Sequence, residues 1–173
     1  IQSIRNQTER LNQLIRSLLS LSKSDMISRD EHETILFNLS ELINEEINNF
    51  RPMATNKTIS FENLSESDVF IKTEIDNIRQ LLGLFLDNAI KFTEKGEITV
   101  VVSHPDIELL EFQEIKIPTG YSETSYLKVD VVDTGIGIAE DRAGEIFDEY
   151  LAKNLAIAQK YEGTALSLPI ARK

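Results

Sequence analysis

Residues 75–92 read I-D-N-I-R-Q-L-L-G-L-F-L-D-N-A-I-K-F. Within them Ile78, Leu82, Phe85, Ala89 and Phe92 recur at spacings of three and four, which predicts a helix with one apolar stripe. Immediately downstream, Glu97 to Val102 alternates as a strand and stops at His104-Pro105. Tyr126 to Val132 alternates again, with Leu127, Val129 and Val131 on one face. Upstream, Thr34 to Phe37 is a short strand candidate. Asn38 with Glu41 three residues on fits a helix N-cap and its reciprocal partner. Leu39, Ile43, Ile47 and Phe50 line one face of that helix, and Pro52 ends it. Lys57 to Phe61 reads as a strand with Ile59 and Phe61 inward, and Val69 to Ile71 as its neighbour. Helices and strands mix without strict alternation. That pattern predicts an α+β fold, a two-layer α/β sandwich with helices on one face of a mixed sheet. Ser103 to Ser125 carries Leu109, Leu110, Phe112, Ile115 and Ile117 and is expected to add extended strands or a hairpin.

Residues 1–26 precede this pattern and read as a separate amphipathic helix. Ile1, Ile4, Thr8, Leu11, Ile15, Leu18 and Ser22 alternate at three and four, an a/d seam made to pack against partner helices. Leu14, Leu19 and Leu21 widen the stripe toward that of a bundle; the alternative is a helix folded back on its own domain. Residues 27–33 are a polar linker, and residues 34–173 form the globular part. Because the chain opens inside a helical pattern, it is expected to be a fragment.

The 173 residues are 41% hydrophobic and 27% charged, which suits a folded core rather than a disordered chain. No run approaches the roughly 20 apolar residues that cross a bilayer. Acids outnumber bases 29 to 18, which argues against a nucleic-acid surface. The lack of cysteine excludes disulfides and thiolate metal sites and is compatible with a reducing cytoplasm.

Three segments carry chemistry. Asp133-Thr134-Gly135-Ile136-Gly137-Ile138 follows a strand directly. An acid at a strand tip followed by spaced glycines exposes a carboxylate and lets backbone come close to a ligand. Such a carboxylate accepts a hydrogen bond from an exocyclic amine. Taken alone, the segment is more readily read as a glycine-rich turn. Asp87-Asn88-Ala89-Ile90-Lys91-Phe92 puts an asparagine inside a helix, where its propensity is poor, with a lysine one turn on. An amide oxygen beside an ammonium suits a magnesium-bound polyphosphate; on an isolated helix, an exposed amide and a solvated lysine are the favoured reading. Finally, Glu145 to Tyr150 is followed by a loop and by Gly163-Thr164-Ala165-Leu166-Ser167-Leu168-Pro169-Ile170. A loop ending in small residues before a helix can close over phosphates.

In order and spacing these segments resemble the ATP-binding domain of sensor histidine kinases, of the superfamily shared with DNA gyrase and mismatch-repair ATPases. The asparagine box is similar to residues 81–93, the first glycine box to 133–138, the phenylalanine box to 146–150 and the second glycine box to 163–170. Leu39 to Leu42 and Phe50 to Ala54 also resemble this family. So does the run from Gln7 to Asp25, which is similar to the second helix of the dimerisation and phospho-acceptor bundle. The resemblance implies that Asn88 ligates Mg2+ and Lys91 touches phosphate. It implies that Asp133 binds the adenine amino group and that Gly135 and Gly137 shape the pocket. Phe92 and Ile138 would line it, Phe147 would anchor the lid, and Thr164 and Leu166 would sit near the base and the closed lid. The implied reaction moves the ATP γ-phosphoryl group to a histidine and then to an aspartate of a response-regulator receiver domain, a phosphorelay of two-component signal transduction. The implied partners are a second copy through the N-terminal helix and the regulator. The implied location is cytoplasmic, with any membrane anchor in other parts of the parent protein.

The sequence departs from the family pattern at Ala165 and Ser167, where glycines are usual, and at Leu84, where a second asparagine is common. If the backbone at 165 and 167 needs positive φ, each side chain costs about 1 kcal/mol or more. His32 and His104 lack the setting of a phospho-acceptor, so the chain is expected not to phosphorylate itself. The family also normally continues past Lys173 into closing strands. Two readings compete: a Mg-ATP-binding kinase module, and a nucleotide-independent dimerisation and regulator-docking module with a degraded pocket. The intact boxes favour the first, and Ala165 with Ser167 the second. Another ATPase of the same superfamily is disfavoured by the bundle-like first helix.

Overall fold

The computed structural model describes residues 34–66, 68–139 and 171. The residues expected to form the N-terminal helix and linker, and the segment with Phe147, Thr164, Ala165, Leu166 and Ser167, lie outside the described residues. The elements run β1 (Ile35–Asn38), α1 (Leu39–Phe50), a 3-10 turn (Arg51–Ala54), β2 (Thr58–Asn63), β3 (Phe70–Thr73) and α2 (Ile75–Phe92). They continue with β4 (Lys95–Ser103), α3 (Ile107–Phe112), a 3-10 turn (Glu123–Ser125) and β5 (Lys128–Asp133).

Asn38 starts α1 as the sequence predicts. Its side-chain oxygen accepts from the amides of Ser40 at 3.0 Å and Glu41 at 3.4 Å, satisfying two donors that the first helical turn leaves open. Pro52 does not stop the chain's helical course abruptly. It sits in the 3-10 turn that follows α1, where its missing N–H costs nothing.

The sheet is mixed, in the order β2-β4-β5, with β2 parallel and β5 antiparallel to β4. Its register sets Ile59 and Phe61 of β2, Ile98, Val100 and Val102 of β4, and Val131 and Asp133 of β5 on one face. That face packs against the helices. Leu39, Leu42, Ile43 and Ile47 of α1, Leu82, Leu86, Ala89 and Ile90 of α2, and Ile98, Val100 and Val102 make the buried core. The fold is thus the expected α+β sandwich of helices on one sheet face. Arg79 on α2 ties the two helices further by pairing with Glu45 at 3.1 Å and with Glu46, both on α1. The Glu45 hydrogen bond, more than the one from Glu46, raises the Arg79 pKa above its ordinary value.

Three expectations are corrected. β3 does not neighbour β2. It pairs antiparallel with β1, Phe37 opposite Ile71, as a separate two-stranded ribbon, while β2 takes β4 as partner. The insertion after β4 forms the short helix α3, with Leu110 buried, rather than a hairpin. The buried stripe of α2 is also rotated: Leu86 and Ile90 join Leu82 and Ala89 in the core, while Phe85 and Phe92 are half-buried on its flank.

Candidate functional site

The loop after β5 clasps the C-terminal end of α2. Ile136 N–H donates to the Phe92 carbonyl at 3.2 Å. Gly135 lies so close beneath that carbonyl that a β-carbon there would stand 2.4 Å from Phe92 O and 2.6 Å from Asp133 Oδ1. Only a glycine permits that approach. Thr134 closes the other side. Its amide donates to Glu97 O at 3.1 Å, and its hydroxyl accepts from Glu97 N–H at 2.9 Å. Gly137 has φ of +68°, and no described residue lies within 4 Å of where its β-carbon would stand, so among the described residues its requirement is conformational rather than steric.

This clasp fixes Asp133. The register places it at the tip of β5 on the helix-facing side, opposite Ile98. Its Oδ1 accepts from Gly135 N–H at 2.8 Å and stands 3.5 Å from the hydroxyl of Thr93. Thr93 is fully buried and follows α2 directly. The second carboxylate oxygen has no hydrogen-bond partner among the described residues, and Asp133 is exposed. An oriented carboxylate with one oxygen committed and one open is ready to accept a hydrogen bond from a ligand amine.

Asn88 lies on α2 one turn before Phe92, roughly 6 Å along the helix axis, and on the same flank as Phe92. It is half-buried, and its amide has no hydrogen-bond partner among the described residues. An amide left open at this depth is accessible to water or to a ligand oxygen or cation. Phe92 and Asn88 therefore share a helix flank at the end where the Asp133 loop docks. Ile138 follows in the same loop and is exposed. Lys91, three residues on from Asn88, is already engaged by a carboxylate. It forms an i,i+4 ion pair with Asp87, whose side chain is 7% exposed. To contact phosphate, Lys91 would have to leave that carboxylate.

Two residues of this site were not singled out from the sequence. Thr93 backs Asp133. Lys57, at the approach to β2, reaches the same helix end: its ammonium donates to the carbonyls of Ile90 at 2.7 Å, Lys91 at 3.2 Å and Thr93 at 3.0 Å. The sequence did hold a hint. α2 ends without a following glycine cap, since the next glycine is Gly96, so its last carbonyls need another partner.

Residues 73–173 match the family model described as histidine kinase-, DNA gyrase B- and HSP90-like ATPase. The chain belongs to this family. Within it, the similarities point to the ATP-binding catalytic domain of histidine kinases, and so to two-component signal transduction. The chain is 29% identical to the autoinducer 2 sensor kinase/phosphatase LuxQ of Vibrio vulnificus, over 96% of this chain and 18% of LuxQ. It is 31% identical to the adaptive-response sensory kinase SasA of Crocosphaera subtropica, over 98% of this chain and 40% of SasA. It thus spans less than half the length of these relatives. The nucleotide-free catalytic domain of histidine kinase ThkA superposes with a TM-score of 0.59 at 26% identity, covering 82% of this chain and 78% of ThkA. ThkA has also been solved in complex with the response regulator TrrA, a structure matched at 23% identity and a TM-score of 0.54 over 83% of this chain and 38% of that one. Among the described residues, no helix of this histidine-kinase domain is long and apolar enough to cross a membrane.

Proposed function

We propose that this domain binds Mg-ATP between α2 and the β5 loop, and that its parent protein uses the nucleotide to phosphorylate a histidine and then a response-regulator aspartate. The observation that carries the reading is the docking of Gly135 and Ile136 on the Phe92 carbonyl. It holds the open Asp133 carboxylate at the same helix end as the open Asn88 amide. Asp133 accepts the adenine amino group. Phe92 and Ile138 flank the base, and Gly135 and Gly137 let the backbone approach it. Phe147, Thr164 and Leu166 belong to the proposed lid side of the same pocket.

The donor set fits a magnesium ion brought in by the nucleotide. Among the described residues no cluster of three or more His, Asp or Glu could hold a metal, so the Asn88 oxygen would be one ligand beside the phosphates. Magnesium typically takes few protein ligands and several oxygens from phosphate and water. When bound, it neutralises phosphate charge. Lys91 adds to this only by exchanging Asp87 for phosphate.

The parent protein is proposed to dimerise through the helix at residues 1–26 and to present its phosphohistidine to a receiver domain, on the cytoplasmic side. ThkA's association with a response regulator supports that partner class. Neither His32 nor His104 is proposed as the acceptor, so the chain alone does not autophosphorylate; acid-labile phosphate on it after incubation with labelled ATP would refute this. Calorimetric titration with a non-hydrolysable ATP analogue and magnesium tests the binding. The wild-type chain is expected to bind and Asp133→Asn to lose most affinity. No binding by the wild type, even after Ala165→Gly/Ser167→Gly, would favour the nucleotide-independent docking module instead.

A further inference from the structure

The geometry points to Lys57 as a positioning residue for the nucleotide site, acting through the end of α2 without touching the ligand. A helix end leaves its last carbonyls without intrahelical donors, and here they are divided between two partners. The Ala89 carbonyl still accepts from Thr93 N–H at 3.1 Å, and that of Phe92 accepts from Ile136 in the Asp133 loop. Those of Ile90, Lys91 and Thr93 all accept from one ammonium, Lys57 Nζ. Glu94, 3.0 Å from Nζ, holds the cation on its outer side. The Lys57 side chain is 19% exposed, so these bonds form mostly out of water and a cation faces the negative end of the helix dipole. The neighbouring backbone is anchored as well: Lys57 N–H donates to Ala54 O at 2.9 Å and Thr58 N–H to Glu94 O at 3.1 Å.

Lys57 therefore leaves the Phe92 carbonyl as the one of these four that serves the glycine loop. Without the ammonium, the carbonyls at 90, 91 and 93 lose their shared donor, and the last turn of α2 must rearrange toward water or other amides. Phe92 O anchors the loop whose Gly135 N–H binds the Asp133 carboxylate, and the Thr93 hydroxyl stands 3.5 Å from the same oxygen, so a rearranged helix end reaches Asp133 through both.

This inference rests on the nucleotide reading above, and the test separates the two. The 173-residue chain is prepared as wild type, Lys57→Met, Lys57→Gln and Lys57→Arg. Each is titrated with a non-hydrolysable ATP analogue and magnesium well below its melting temperature, and amide exchange is followed at Gly135, Ile136 and Val100. Lys57→Met is expected to weaken the analogue about tenfold or more, equivalent to one lost charged hydrogen-bond set. It should speed exchange at Ile136 more than at Val100 in the β4 core. Lys57→Arg, which keeps charge and donors, is expected to recover most of both, and Lys57→Gln to fall between and to serve if the methionine variant does not fold. Unchanged affinity in a folded Lys57→Met or Lys57→Gln, or equal acceleration at Ile136 and Val100, reduces Lys57 to ordinary packing and overturns the inference. If the wild type binds no analogue, the nucleotide reading fails, and the exchange comparison still decides whether Lys57 holds the loop.

Discussion

Replacing Gly135 with alanine probes the clasp where it is tightest. The new β-carbon would stand 2.4 Å from Phe92 O, 2.6 Å from Asp133 Oδ1 and 2.8 Å from Phe92 C, and two of these three atoms are backbone. The Asp133 oxygen could rotate aside, but the Phe92 carbonyl is backbone at the helix end and cannot, so the loop must lift. Lifting breaks the Ile136-to-Phe92 hydrogen bond, a loss of about 1 kcal/mol, and the crowding itself costs about 1–3 kcal/mol. Much of that falls on the geometry of Asp133, whose Oδ1 is held by Gly135 N–H. A displacement energy of about 2 kcal/mol corresponds to roughly thirtyfold weaker nucleotide binding. Calorimetry with an ATP analogue and magnesium reads the affinity, and thermal unfolding reads the fold. Gly137→Ala is the internal comparison: no described residue lies within 4 Å of its β-carbon, so the expected penalty is that of the φ of +68°, about 1 kcal/mol. Gly135→Ala binding as tightly as the wild type with an unchanged melting temperature would refute the reasoning.

Further outcomes follow from the same geometry. Lys91→Met leaves the buried Asp87 carboxylate unpaired and is expected to cost about 2 kcal/mol in denaturant unfolding, short of the ~3–5 of a fully buried pair because Lys91 reaches solvent. Asp87→Asn/Lys91→Met should regain most of that loss. Leu86→Ala, at a site with 0% exposure, is expected to lose about 3–5 kcal/mol by the same measurement, whereas Phe85→Ala on the flank should lose less. Asn38→Ala should cost about 1 kcal/mol through the α1 cap. Asn88→Ala should leave the melting temperature nearly unchanged while weakening the magnesium-dependent part of analogue binding, read by titrating with and without the metal.

Much of this architecture was legible because local signals were strong. Asn38 before a periodic run, and alternation at Lys57–Phe61 and Glu97–Val102, marked elements whose type the structure bears out. The failures have a common cause in long-range or crowded information. Residues 81–86 are apolar except for Gly83, so two stripes fit α2 equally, and only packing against α1 and β4 selects Leu86 over Phe85. The partner of β3 is chosen across the fold: β1 precedes α1, and nothing near Val69 names it. The insertion's helix is six residues long, too short for its period to stand out from a strand-like run. At the clasp, Asp133 and Gly135 stood out as an acid at a strand tip followed by a glycine, and the close approach to Phe92 O gives the physical reason for that glycine. Lys57 and Thr93 escaped because their importance lies in what they meet: carbonyls more than thirty residues away for Lys57, and a carboxylate forty residues on for Thr93.

The most direct examination of the central claim is a heteronuclear NMR titration of the chain with a non-hydrolysable ATP analogue and magnesium. The side-chain amide of Asn88 and the backbone amides of Gly135 and Ile136 are expected to shift together and to saturate with a single dissociation constant. Shifts at the Gly135 loop that leave Asn88 untouched, or two sets that saturate separately, would contradict a shared nucleotide site.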